Sequence, residues 1–252
     1  MDRLIYTAMS GAKQIMDKQS VISNNLANVS TSGFRAELHA MRSVPVQGDA
    51  PLATRSSVAL ATTGADFSPG PISTTGRELD VAIKGDGWLA VQASDGSEAY
   101  TRRGDLQVDG NGLLTSGGRP VIGEGGPIQL PLGAQVFIGA DGTLSAIGEG
   151  EDPEALADVG RLKLVSARDK SLLRGEDGLF RPAPDAEGNV ARLAQDENIQ
   201  VASGALEGSN VSAVQSMVDM IGSARQYEMQ MKIIKSAEEN EQRANSLLSV
   251  NN

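Results

Sequence analysis

Proline divides this chain into three parts. All ten prolines lie between Pro45 and Pro184, so the 44 residues before them and the 68 after them contain none. Glycine keeps to the same division: Gly11 is the only one in residues 1–28, and Gly208 and Gly222 are the only ones after Gly204. Proline removes a backbone donor and clashes with the preceding helical turn, and glycine carries a large entropic cost in a helix. Two terminal helices flanking a turn-rich body therefore follow from the punctuation alone. Charge divides in the same way. Residues 1–28 carry three basic and two acidic groups, and 205–252 four basic and six acidic, so the part between holds −9 of the formal −10.

Both terminal segments carry a heptad-like seam. Ile5, Ala8, Ala12, Ile15, Gln19, Ile22, Leu26 and Val29 alternate three and four residues apart, and all but Gln19 are apolar. At the other end Ala213, Met217, Met220, Ala224, Tyr227, Met231 and Ile234 repeat the device, with Val211, Val214, Val218 and Ile221 as a second stripe beside it. Such spacing predicts amphipathic helices that pack as a coiled-coil-like pair. A face broader than one seam points to more than one neighbour.

The middle alternates with period two. Strands are predicted at 79–84, 88–91, 100–102, 106–108, 113–114, 135–138, 143–147, 161–165 and 199–202. Asp109-Gly110-Asn111-Gly112 between two of them is a strong hairpin signal, because these residue types tolerate positive φ. The fold class is thus α+β: long terminal helices and a central all-β body. The domain boundaries expected are a helical domain of 1–35 and 205–252, an extended connector over 36–75, and a β-rich outer domain over 76–204.

Composition excludes most catalytic chemistry. Without cysteine there is no disulfide framework, cysteine–zinc site or thiol nucleophile, and any histidine-based triad would have to use the lone His39. Phosphate-loop, nucleophile-elbow and HExxH motifs are missing. Gly85-Asp86-Gly87 reads as a turn, and the acidic turns at Asp109 and Asp141 lack the closing glutamate of a calcium loop. Asp80, Asp86, Asp105 and Asp109 are the candidates for a carboxylate pair, but nothing selects two of them. No catalytic residue, metal or cofactor is expected. The acidic balance argues against nucleic acid, and no window is long and apolar enough for a membrane span. The N-terminal stretch MDRLIYTAMSGAKQIMDK lacks the apolar core of a cleaved signal peptide. With aromatics at 3% of the chain, a single large core is less expected than an extended, thinly packed molecule.

One segment is denser than a helix end requires. Asn24, Asn25 and Asn28 sit on the last turns of the first helix, where asparagine is a poor interior residue unless its amide is used. Gly33 suits a sharp exit and Phe34 can dock it. One reading is a simple C-cap; another is a polar latch that fixes register between helices.

This segment, Asn24-Asn25-Leu26-Ala27-Asn28 with Thr31, Gly33-Phe34 and Arg35, resembles the signature of the bacterial flagellar rod and hook axial proteins. Three further stretches agree in order. Leu79-Asp80-Val81-Ala82-Ile83 with Gly85, Gly87-Trp88 and Val91 is similar to the family's first β block. Tyr100-Thr101-Arg102 with Gly104, Gly112-Leu113-Leu114-Thr115, Gly118 and Val121-Ile122-Gly123 is similar to the second. Leu206-Glu207-Gly208-Ser209-Asn210-Val211 with Met217-Val218 and Met220-Ile221 is similar to the C-terminal motif. The opening Met1–Met9 and Gly123–Ile128 lean toward the proximal-rod members of the family, and a distal-rod member is the alternative. Trp88 and Leu106 stand where the family often has phenylalanine. Little signature falls between Ile147 and Gln195.

The resemblance implies a non-catalytic structural subunit of the rod. It implies export through the flagellar type III apparatus without a cleaved signal peptide, and assembly in the periplasm with copies of itself and with proximal and distal rod subunits. The terminal helices would form the inner tube, folding on assembly, and the β body the outer layer. The assembly surface implied comprises Ile5, Ala8, Ala12, Ile15, Ile22, Asn24, Asn25, Leu26, Asn28, Gly33 and Phe34. From the C-terminal motif and helix it adds Asn210, Val211, Val214, Met217, Met220, Ile221, Ala224, Tyr227, Met231 and Ile234. The rival from another class, a secreted β-rich carbohydrate-binding protein or enzyme, would need an aromatic platform from a chain with one Trp.

Overall fold

The computed structural model describes residues 2–45, 56–148, 150, 156–167, 172–185 and 187–249. The chain begins and ends in helices, α1 (Asp2–Ala27) and α2 (Ala213–Ser249), and the elements described between them are short β-strands. By internal contacts it divides into a helical unit (1–28, 37–63 and 211–252) and a β body (29–36 and 64–210).

Local signals set the helix ends. α1 closes as the Asn28 N–H donates to the carbonyls of Asn24 and Asn25, at 3.2 and 3.1 Å. Gly33, at φ 65°, then adopts the left-handed conformation that glycine takes without steric cost. α2 opens on a Ser-x-x-Gln cap: Ser212 Oγ accepts the Gln215 N–H at 3.4 Å, and the Ser216 N–H reaches the Ser212 carbonyl at 3.0 Å. With 37 residues, α2 is about 55 Å long at 1.5 Å per residue.

Within the helical unit α1 packs against α2. Ala8, Ala12, Ile15 and Ile22 are the buried positions of α1, as the apolar spacing predicts. On α2 the positions buried or half-buried are Ala213, Ser216, Asp219, Met220, Ser223, Tyr227, Gln230, Ile234, Ala237 and Ala244, and from Ala213 to Ala237 all but Asp219 alternate three and four apart. Met220, Tyr227 and Ile234 belong to the seam expected from the sequence. Its alternate members Met217, Ala224 and Met231 point to solvent instead, and Ser216, Ser223 and Gln230 take the inward places. Gly11 faces Gln230 so closely that a Cβ there would sit 3.3 Å from the amide. The region 36–75, read as an extended connector, includes two strands, Glu37–Pro45 and Ser56–Ala65, that pair as a two-stranded sheet.

The β body is built around a five-stranded sheet in the order Leu164–Ser166, Gly87–Gln92, Glu98–Thr101, Phe180–Pro182 and Leu172–Arg174. The strand Gly87–Gln92 is buried on both faces. Leu89 and Val91 join an aliphatic core with Leu106, Leu114, Val121 and Leu144, while Trp88 and Ala90 join a second core with Tyr100, Val165 and Phe180. Thin packing is therefore not what the body shows. Aliphatic residues fill one side, and the few aromatics gather on the other, where Trp88 lies 4.7 Å from Phe180 and 5.8 Å from Phe67, centroid to centroid.

Two three-stranded sheets, Leu106–Val108/Leu114–Ser116/Arg119–Pro120 and Gln135–Ile138/Thr143–Ile147/Ala157–Arg161, extend the body. The hairpin predicted at Asp109–Gly112 is present: Asp109 Oδ1 accepts the N–H groups of Asn111 and Leu113, both at 2.8 Å. The strand expected at 161–165 is two, Ala157–Arg161 and Leu164–Ser166, which belong to different sheets. Residues 205–207, placed with the C-terminal helix by their freedom from proline, are a strand paired with Ile72–Thr74. Gly204, at φ 72°, turns the chain into it.

Candidate assembly interface

The asparagines of the first motif have separate duties. Asn25 clamps the backbone of one residue of the outgoing strand: its Oδ1 accepts the Glu37 N–H at 2.8 Å and its Nδ2 donates to the Glu37 carbonyl at 3.0 Å. This is the pairing a neighbouring strand would offer, made by a side chain. Asn28 Nδ2 donates to the Asn24 carbonyl at 2.9 Å, a cap on the last turn. Asn24 is exposed and Leu26 half-buried. The latch expected between helices is, within this chain, a latch between helix α1 and the strand that follows its loop. An asparagine amide satisfies the N–H and the carbonyl of one strand residue, and Glu37 presents both.

Residues 29–36 pack with the β body. Gly33 is buried, and its N–H donates to the Glu207 carbonyl at 2.7 Å. A Cβ at Gly33 would lie 2.2 Å from the Arg102 carbonyl carbon, so only glycine fits. Phe34 is buried, with the Arg174 guanidinium 4.4 Å from its ring centroid. Asn210 straps three stretches of backbone together. Its Oδ1 accepts the Ala36 N–H at 2.7 Å, and its Nδ2 donates to the carbonyls of Asp66 (2.9 Å) and Ser68 (3.0 Å). Val211 is half-buried just before α2.

The helical unit leaves much apolar surface open. On α2, Val214, Met217, Val218 and Ile221 are 73%, 53%, 58% and 55% exposed and form one i, i+3, i+4, i+7 stripe. Ala224 and Met231 extend the open side, with Met229 and Ile233 beside them. On α1, Ile5 is half-buried, and Tyr6, Met9 and Met16 stand out into solvent. The predicted residues thus fall into two groups. Ala8, Ala12, Ile15, Ile22, Met220, Tyr227 and Ile234 serve the internal seam, whereas Val214, Met217, Ile221, Ala224 and Met231 face outward.

Sequence reasoning missed a buried charge cluster. Arg35, Arg102 and Glu207 are all fully enclosed in the β body. Glu207 Oε1 lies 2.7 Å from Arg35 Nη2 and Oε2 lies 3.1 Å from Arg102 Nε. Glu207 Oε1 also accepts the Gly70 N–H at 3.0 Å. Burial lowers the Arg102 pKa, and the Glu207 charge opposes that shift. Each of the three is a charged residue inside an otherwise apolar or glycine-rich motif, and the motifs containing them lie far apart in the chain but meet here.

The carboxylates considered for acid–base work are committed elsewhere. Asp80 is ion-paired with Arg77 and accepts the Thr75 hydroxyl at 2.6 Å. Asp105 accepts from Arg103 Nε at 2.6 Å and from Ser32 at 2.8 Å. Burial pushes its pKa up, but these two partners outweigh it and leave the carboxyl below its usual range. Asp109 holds its turn, and Asp86 is exposed. Among the described residues no group of three or more His, Cys, Asp or Glu side chains is arranged to hold a metal ion. No described helix is long and apolar enough to cross a membrane.

Comparison with known proteins agrees with this distribution of motifs. Residues 5–35 match the family described as flagella basal body rod protein. Residues 82–146 match the flagellar hook protein FlgE/F/G D1 domain, and 202–247 the flagellar basal body rod FlgEFG protein C-terminal family. The chain is 55% identical to the flagellar basal-body rod protein FlgF of Salmonella typhimurium, over 99% of this chain and all of that protein. It is 53% identical to FlgF of Escherichia coli over the same shares. To the flagellar basal-body rod protein FlgG of Bacillus subtilis it is 34% identical, over 95% of this chain and 96% of that one.

Proposed function

The chain belongs to the flagellar basal-body rod protein family and is a structural, non-enzymatic subunit of the proximal rod, and from that premise we propose how it is built into the shaft. The open stripe of α2 packs against helices of neighbouring subunits, whether copies of this chain or other rod proteins. Heterologous contacts that do not close a ring produce a helical filament, so one such face repeated from subunit to subunit makes the rod. Torque then passes through many parallel helix contacts. The β body, already closed on itself, occupies the outer layer in the periplasm. The subunit reaches that place through the flagellar type III export apparatus.

The observation that carries this reading is the exposed run Val214, Met217, Val218 and Ile221, four large apolar side chains on one stripe of a folded helix. Isolated exposed apolar residues need no explanation, but a contiguous stripe does. The test is Ile221→Lys in a strain lacking the chromosomal copy. Its stability as a purified chain should change by no more than about 0.5 kcal/mol, since Ile221 is a surface position. Purified basal bodies from the complemented strain should lack the subunit and the cells should not swim. Normal incorporation of Ile221→Lys into basal bodies would refute the assignment of this stripe.

A further inference from the structure

Apart from the assembly surfaces, the β body contains a cavity of about 570 Å3. Phe67, Ile72, Trp88 and Leu172 supply apolar wall, and Arg35, Arg102 and Glu207 contribute charged lining. That size and that mixture of apolar wall with a few converging polar groups are those of a small-molecule pocket. Two guanidinium groups and one carboxylate leave a positive charge in excess, at 1%, 4% and 2% exposure for Arg35, Arg102 and Glu207. Arginine cannot relieve this by losing its proton.

The two arginines are not equally satisfied. Arg102 donates to the Gly87 carbonyl at 2.5 Å and the Gly85 carbonyl at 2.7 Å, while its Nε, 3.1 Å from Glu207 Oε2, is paired with it by charge and not by a hydrogen bond. Arg35 has one partner for its guanidinium, Glu207, while its Nε and Nη1 are buried without a hydrogen-bond acceptor. Two further carboxylates act on these arginines through space. Asp66 attracts Arg35 but is turned to the Ser68 N–H at 2.9 Å, and Asp86 acts on Arg102 from an exposed position. A buried charged donor left unpaired costs more than the roughly 1–3 kcal/mol of a neutral one. A ligand that supplies the missing acceptor would recover that cost.

We propose that this cavity binds a carboxylate carried on an apolar body. Arg35 donates its unspent N–H groups to the carboxylate, and the wall of Trp88 and Phe67 covers the body. The proposal stands on the cavity alone and does not depend on the rod reading. The same chemistry is offered by a free small carboxylic acid and by an acidic side chain set among apolar residues on a second copy of the chain.

Trp88 is the only tryptophan, so excitation selective for indole reads the cavity directly. The folded full-length chain is titrated with 3-phenylpropanoate, with the neutral 3-phenylpropanamide, and with inorganic phosphate. The acid should shift the Trp88 emission and bind at least about tenfold more tightly than the amide, because a hydrogen bond to a charged group contributes roughly 1.5–3 kcal/mol and 1.4 is tenfold. Phosphate, which has charge and no apolar body, should bind more weakly than the acid. Arg35→Gln should abolish the preference for acid over amide. Since that variant also breaks a buried ion pair, Ile72→Glu at the exposed rim provides a second variant: it should weaken the acid more than the amide, since both lose apolar wall but only the acid meets a like charge. Raising the protein concentration without ligand separates the sources. An emission shift reversed by 3-phenylpropanoate puts the carboxylate on a second copy, and a constant emission leaves the free acid. Equal affinity for acid and amide, binding of neither, or phosphate binding as tightly as the acid would each overturn the proposal.

Discussion

In the β body, Leu106, Leu114, Val121 and Leu144 are wholly closed to solvent, whereas on α2 Val214, Met217, Val218 and Ile221 are each more than half open. Both regions are rich in apolar residues, yet only one finishes its own core. In the body, short strands alternate sides, and every inward residue meets another strand. In the helical unit, two long helices offer each other one seam each, and a helix with apolar residues on several faces keeps those outside the seam open. The difference separates a part whose stability is its own from a part whose burial needs neighbours.

The largest expected effect lies in the closed region. Glu207→Gln would leave Arg35 and Arg102 buried without a counter-charge, and breaking such a pair costs about 3–5 kcal/mol. Urea unfolding followed by Trp88 fluorescence should show the loss, and a loss under 1 kcal/mol, on the order of a surface pair, would mean the cluster is hydrated. Leu114→Ala should follow at about 2–5 kcal/mol, as for other fully buried leucines. A much smaller cost would show that the aliphatic core is less tightly closed than its burial indicates.

The smallest effect concerns Asp177. Hydrogen bonds from Arg181, at 2.7 and 3.0 Å, hold its carboxyl below the usual range against the opposing influence of burial. Because the folded-state value is depressed, the stabilisation is present above the ordinary aspartate pKa of about 3.9 and is lost as pH falls through the folded value. Asp177→Asn should cost less than about 1 kcal/mol near neutrality, given partial exposure, and the gap to the parent should close toward acid pH. A gap that persists unchanged at low pH would place the effect in packing rather than charge.

How much of this the sequence disclosed varies by region. The helices were legible because proline and glycine stop where they begin and end. The buried face of α1 was legible because Ala8, Ala12, Ile15 and Ile22 are both apolar and correctly spaced. On α2 the pattern was ambiguous. So many positions are apolar that several seams fit, and hydrophobicity alone chose Met217, Ala224 and Met231 over Ser216, Ser223 and Gln230. The choice is made by the facing helix, where Gly11 lies against Gln230, and a reading of one helix at a time does not weigh that. Asn25 was marked as more than a helix residue, but its partner is the backbone of Glu37 and leaves no trace in side-chain pattern. The Arg35–Arg102–Glu207 cluster stayed hidden because its members come from three distant motifs and only the fold brings them together.

Native-state amide exchange on the free, full-length chain tests the contrast between the two regions most directly. If the helical unit depends on neighbours for its burial, amides of α2 should exchange orders of magnitude faster than those of strands Gly87–Gln92 and Leu114–Ser116, which should open only with global unfolding. The same α2 amides should become protected once the subunit is in purified rods. Protection of α2 in the free chain equal to that of the strands would contradict the account, since the helical unit would then be complete without a partner.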